Sequence, residues 1–109
     1  MINAVIIDEK DNVAVAIEAI AKGSEISFKL KDKTVKTITA LDDITIYHKL
    51  AIKDMAKGDK VTKYGEHIGE ANQEIKSGQH VHIHNVRSVR EELDKQVMTN
   101  IYYNFYYTH

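Results

Sequence analysis

Three histidines at alternate positions, His80, His82 and His84, stand in the run Gly78-Gln79-His80-Val81-His82-Ile83-His84-Asn85. Val81 and Ile83 fill the gaps, and alternation of period two is the pattern of a strand with one polar and one apolar face. On such a strand the three imidazoles project to one side, neighbours about 7 Å apart at a rise of roughly 3.3 Å per residue. Imidazole is the common metal ligand and the proton carrier of neutral pH. The row is therefore a candidate for metal binding, acid–base work or an anionic ligand, with a solvated strand face that happens to carry histidines as the plain alternative.

The elements that must hold this row are short strands and tight turns. Ala4 to Ile7, Val13 to Ile17, Glu25 to Leu30, Thr34 to Thr39 and Ile44 to His48 read as strands, rich in branched residues and in alternation. Lys31-Asp32-Lys33 suits a hairpin turn, and Lys63 to Gly69, with two glycines around a polar stretch, suits a tight loop with His67 at its tip. Three segments repeat one pattern of apolar residue, two linkers, glycine, two polar residues and a branched apolar residue: Ile20 to Ile26, Met55 to Val61 and Ile75 to Val81. Each reads as a turn feeding a strand, since glycine accepts the positive φ of a tight turn. Their uneven spacing argues against a solenoid. After residue 87 the character changes. Ser88-Val89-Arg90-Glu91 fits a capping box, and Val89, Leu93, Val97 and Ile101 form one helical stripe. The chain then runs into Tyr102-Tyr103-Asn104-Phe105-Tyr106-Tyr107, which holds five of its eight aromatics and suits an interface, such as a homo-oligomer contact, or packing back on its own domain. The expectation is a mainly β domain over residues 1–87 and a C-terminal helix with an aromatic tail over 88–109.

Bulk properties narrow the function. At 109 residues and 12.4 kDa the chain has room for one core. A net charge of −1 gives no electrostatic case for nucleic acid. With no cysteine, disulfides, thiolate metal sites and thiol nucleophiles are excluded. No apolar run approaches the ~18 residues of a membrane span, and the N-terminus lacks the basic start and cleavage site of a secretory signal, so a cytoplasmic location is expected. No nucleophile–base pair or phosphate-cradling glycine loop is evident, which disfavours acyl and phosphoryl transfer. Between His48 and Arg90 basic residues exceed acidic ones by three, a modest attraction for an anion.

Three stretches together carry a resemblance. They are His48 to Gly58, the segment Val61-Thr62-Lys63-Tyr64-Gly65-Glu66-His67-Ile68-Gly69-Glu70-Ala71, and Gly78 to Asn85. The chain from about Ala14 to Asn85 resembles the N-terminal SAF domain of the altronate and galactarate dehydratase family, and Asp11 to Ala16 fits the family's usual opening. The Lys-Tyr-Gly-x-x-Ile-Gly and His-Val-His-x-His-Asn elements are its most specific parts. A glycine often precedes the histidine of the His48-Lys49 element; here Tyr47 stands there. The resemblance implies a β-clip fold and a role in β-elimination of water from a hydroxy acid. The chain would then be a small subunit or stand-alone domain, inactive alone, working with a large dehydratase subunit on a small sugar acid. It also implies a divalent metal ion, iron or manganese. A related small subunit serves in removal of sulfite from sulfolactate. A SAF module that binds a sugar acid or a protein partner without catalysis is the other reading, and histidines serving stability alone a third.

Removing a proton α to a carboxylate needs a base, cations for the developing enediolate and an acid for the leaving group. On the matching residues, His48 and Lys49 are expected to bind the carboxylate or carry the proton, together with His84. His82 and His84 are the expected metal ligands, and His82, Asn85, Lys63 and Tyr64 the expected substrate contacts. Lys49 read alone is an ordinary solvated lysine, and Tyr64 equally suits the core. His80, directly after a turn, is the weaker candidate.

Overall fold

The computed structural model describes residues 1–88, all strand, turn and loop. The helix expected after Ser88 and the aromatic tail lie outside the described residues. The strands are β1 (Ala4–Val5), β2 (Val13–Ala16), β3 (Glu25–Lys29), β4 (Val35–Thr39), β5 (Lys49–Ala51), β6 (Lys60–Lys63), β7 (Glu66–Ala71), β8 (His80–Val81) and β9 (Val86–Arg87). They form an antiparallel sheet of order β1-β2-β5-β8, the hairpin β3-β4 and the sheet β6-β7-β9. The mainly β expectation holds, and among the described residues no helix is long and apolar enough to cross a membrane.

The repeat legible in the sequence is one part of a fuller plan. Four eleven-residue copies, residues 16–26, 40–50, 51–61 and 71–81, each run from a buried alanine through a bridging apolar residue and a turn to a buried apolar residue. The turns close with the same bond: Ser24, His48, Asp59 and Gln79 donate their N–H groups to the carbonyls of Ala21, Thr45, Ala56 and Lys76. The copies then join reciprocally. Gly23 N–H bonds the Ala40 carbonyl while Tyr47 N–H bonds that of Ala16; Gly58 bonds Ala71 while Gly78 bonds Ala51. Antiparallel bridges Ile20–Ile44 and Met55–Ile75 complete the two pairs. Alanine fits these anchor positions because a larger side chain would hold the crossing turn away.

Where the length suggested one core there are two, one in each pair. Ile20, Ile26, Ile44 and Leu50 pack with Ala16, Ala40 and Phe28 in the first, and Met55, Val61, Ile75 and Val81 with Val13, Ala51 and Ala71 in the second. The halves meet where β5 pairs with β2 and with β8, in the registers Val15–Lys49, Lys49–Val81 and Leu50–His80. Two segments differ from expectation, one read as a strand and one as a loop. Ile44 to His48 is a bridge residue followed by a turn, because the turn of the second copy falls on Thr45–His48. The Lys63–Gly69 loop is a hairpin whose turn is Tyr64-Gly65, leaving His67 half-buried within β7.

Gly69 lies inside β7 and is needed for closeness. A Cβ there would lie 2.7 Å from both the Arg87 carbonyl oxygen and a Val86 methyl, so β9 could not keep its place. Gly69→Ala is expected to lower stability by about 2–3 kcal/mol, the range for forcing extra atoms into a packed site. Urea denaturation of the two proteins measures it.

Candidate functional site

The seam between the two halves gathers the chemistry. His48 closes the turn of the second copy and Lys49 opens β5. His80 opens β8 beside Leu50. The register therefore sets residues 32 positions apart side by side, and His48 Nδ1 lies 2.8 Å from His80 Nε2 in a hydrogen bond. One ring must donate and the other accept.

The alternating strand expected through His84 stops at Val81. Val81 is fully buried, but Ile83 is 83% exposed, so the apolar face ends there. Asn85 is the cause. Its Oδ1 accepts the His82 N–H at 3.0 Å and its Nδ2 donates to the His80 carbonyl at 2.8 Å, which bends residues 82–85 into a turn. Asn85 N–H and Val86 N–H both return to the His82 carbonyl. Asn85 itself is buried, with its amide committed to backbone, so the expected contact with a substrate is not available to it. It orients histidines instead.

The turn folds His82 onto His48, ring centroids 4.4 Å apart and 20° from coplanar, while His48–His80 and His80–His82 stand at 5.1 and 5.6 Å. One nitrogen from each of His48, His80 and His82 lies within 4.8 Å of the others, a group able to hold a metal ion. His84 stands outside this trio, exposed and tilted 35° against His80 at 5.3 Å. Of the sequence candidates the structure thus brings together His48, His82 and the lesser-ranked His80, with His84 at the margin.

Lysines complete a basic patch. Lys49 is half-buried; burial, then the charge of Lys63, push its ammonium below the usual lysine range. Lys63 ends β6 with its Nζ 4.9 Å from the Tyr64 ring centroid. Burial and then the neighbouring His48, His84 and His82 hold His80 below the ordinary imidazole value, against the opposing pull of Asp42. His82 is lowered in the same way, by desolvation first, then His48, Lys49 and His84. Crowded cations favour the neutral imidazole, which is the form that binds a metal or accepts a proton. An anion placed here would relieve the crowding.

Asp42 was not evident as a contributor in the sequence, and Tyr47 was marked there only as standing where a glycine often does. Asp42 Oδ2 accepts the His80 N–H at 3.0 Å and fixes the start of β8. Tyr47 precedes His48 within the same turn and is 73% exposed. The missing signal for both was the second repeat copy, which the tyrosine hides. Tyr64 is part-exposed beside Lys63 rather than core.

Residues 2–89 match the altronate/galactarate dehydratase SAF domain. The altronate dehydratase of Escherichia coli (strain K12) is 44% identical over 85 residues, 78% of this chain and 16% of that protein. That of Bacillus subtilis (strain 168) is 37% identical over 82 residues, 75% of this chain and again 16% of that protein. The (2R)-sulfolactate sulfo-lyase subunit alpha of Chromohalobacter salexigens is 38% identical over 92 residues, 82% of this chain and 97% of that subunit. The chain thus spans about a sixth of these altronate dehydratases and nearly the whole of the sulfo-lyase subunit.

Proposed function

The chain belongs to the altronate/galactarate dehydratase SAF domain family, and we propose that it is the small subunit or domain of a lyase that eliminates water from a hydroxy acid together with a larger catalytic chain. The observation that supports this best is the seam itself, where His48, Lys49, His80 and His82 converge with Lys63 close enough to lower the Lys49 pKa. Cations set close together suit the carboxylate of such an acid and the charge that develops when its α-proton leaves. Lys49 and Lys63 bind the carboxylate. His48 moves the proton, its Nδ1 already hydrogen-bonded to His80 so that the ring is oriented.

The three-imidazole group also fits a divalent ion such as iron or manganese. Neutral imidazole is a suitable ligand, and three protein ligands leave a position open for substrate. His48, His80 and His82 would hold it, His48 then serving as a ligand in place of its proton-carrying role, and a bound ion would polarise the carboxylate as a Lewis acid. The related reading, elimination of sulfite from a sulfolactate, draws on the near-complete overlap with the sulfo-lyase subunit.

Turnover is the test. Altronate, galactarate and (2R)-sulfolactate are supplied to the full chain alone and to the chain mixed with a large dehydratase or sulfo-lyase chain. Turnover is expected only from the mixture, and His48→Ala or Lys49→Met in the small chain should lower it by about 100-fold, within the range for losing an acid–base or electrostatic group. Robust turnover by the isolated chain would overturn the shared site. Calorimetric titration of Mn2+ should give one site in the wild type and none in the His80→Ala, His82→Ala double variant; equal binding by both would remove the histidines as ligands.

A further inference from the structure

Tyr47 and Tyr64, the two tyrosines among the described residues, both hold a left-handed backbone, with φ of 68° and 55°. A side chain with a Cβ is crowded against its own carbonyl there. The comparison lies inside the molecule. In the three sister turns the position of Tyr47 is filled by Gly23, Gly58 and Gly78, with φ of 87°, 92° and 95°. Tyr64 is the first residue of the two-residue Tyr64-Gly65 loop, flanked by the pair Lys63–Glu66, with positive φ at both positions. Such a loop ordinarily takes Asn-Gly or Asp-Gly.

Neither ring returns this strain to the fold by burial, since Tyr47 is 73% and Tyr64 46% exposed. Both stand at the seam: Tyr47 directly precedes His48, and Tyr64 lies under the Lys63 ammonium. Among the described residues the one other non-glycine with positive φ, Lys33, sits at the tip of the β3-β4 hairpin, where it follows Asp32 in an ordinary polar turn. Strain held at a site without a packing return points to a task outside folding. The chemistry of the seam suggests which. Its lysines and imidazoles answer a carboxylate, but the Asn85 amide, expected to meet the substrate, is consumed by backbone. A phenol supplies what is lacking, an O–H that donates and accepts and a ring face for a carbon chain.

We propose that Tyr47 and Tyr64 are specificity-determining contacts flanking the basic seam, retained in strained turns to meet the hydroxyl-bearing portion of a carboxylate ligand. The inference rests on the hydroxy-acid reading above. The test uses the full chain as wild type, Tyr47→Gly, Tyr64→Asn and His82→Ala, with glycine and asparagine chosen because they accept a left-handed backbone. Each is titrated with altronate, galactarate and (2R)-sulfolactate while the histidine ring proton resonances are followed, and each is melted. Both tyrosine variants should melt no lower than wild type yet bind the preferred acid about fivefold or more weakly, the equivalent of one hydrogen bond. His82→Ala should also weaken binding. If His82→Ala abolishes binding and both tyrosine variants keep it within twofold, the tyrosine inference fails and the seam stands. If all three variants bind as wild type does, the seam reading fails with it. Melting well below wild type in both tyrosine variants, or no response of the wild type to any acid, would also overturn the inference.

Discussion

Gly78→Ala is expected to cost about 4 kcal/mol or more, a large share of the roughly 5–15 kcal/mol that stabilises a native domain. Two effects add. Gly78 has φ of +95°, where an L side chain costs roughly 1–3 kcal/mol. In addition, a Cβ there would drive deep into the Thr39 carbonyl oxygen, a backbone atom that cannot turn aside, and press on Leu41. Overpacking of that kind adds about 1–3 kcal/mol, and the Leu41 N–H bond to the Gly78 carbonyl would go with it. The sister turns make the internal control. Gly23 and Gly58 share the backbone conformation, at +87° and +92°, but have open space where the Cβ would lie. Gly23→Ala and Gly58→Ala are therefore expected to cost only the backbone part, about 1–2 kcal/mol. Urea midpoints for the three variants separate strain from collision. Equal losses at all three would show that the contact with Thr39 is of no account.

The same turns explain how far the sequence could be read. The glycine pattern exposed three of four copies, because a left-handed turn position usually demands glycine and leaves a mark. The fourth was hidden by Tyr47, and with it the logic that places His48 and Lys49 in the same structural positions as Gln79 and His80 of the last copy. The alanine anchors left no mark either, since a small residue looks unremarkable until its crossing partner is known. Alternation located β8 correctly but overran it. Nothing in His-Val-His-Ile-His signals that Asn85 will take the His82 N–H and turn the chain. Gly69 and Gly65 look alike in sequence, yet one permits a close strand crossing and the other a turn. The ranking of His80 below His84 reversed for a non-local reason: only the β5-β8 register, joining residues 30 and 32 apart, brings His80 to His48. Residue types at the seam were legible; their convergence was set by pairings that no local pattern encodes.

The second large effect is expected at Asp11, which lies in the loop between β1 and β2 and is buried. Its Oδ2 accepts the N–H groups of Ile7 and Asp8, each at 3.1 Å, and its Oδ1 that of Gly65 at 2.8 Å. Beside it Asn12 bonds Thr62 N–H and the Lys60 carbonyl. The two side chains together staple the N-terminal loop to the hairpin that presents Lys63 and Tyr64. Asp11→Ala orphans three donors, and at about 1–3 kcal/mol for each unsatisfied buried group, tempered by water reaching some of them, a loss of about 4 kcal/mol is expected. Asp11→Asn keeps the shape but turns an NH2 group toward one set of donors, so about 2–3 kcal/mol is expected. Acid should distinguish this from a packing effect. Burial alone would raise the Asp11 pKa, but the N–H donors, Gly65 foremost, outweigh it and hold the carboxyl below its ordinary 3.8. A folded-state pKa below the unfolded one gives stability that is fully present above the unfolded value and is lost as pH falls through the folded one. The advantage of wild type over Asp11→Asn should therefore be constant near neutrality and shrink as pH drops below about 4. A protonated Asp11 has lost its charge and, like the amide, turns a donor toward one set of N–H groups, so the gap between the two proteins should narrow. Urea titrations between pH 7 and pH 2.5 follow the difference, and a gap that stays constant through the acid range would mean that the carboxylate charge is not what the three amides hold.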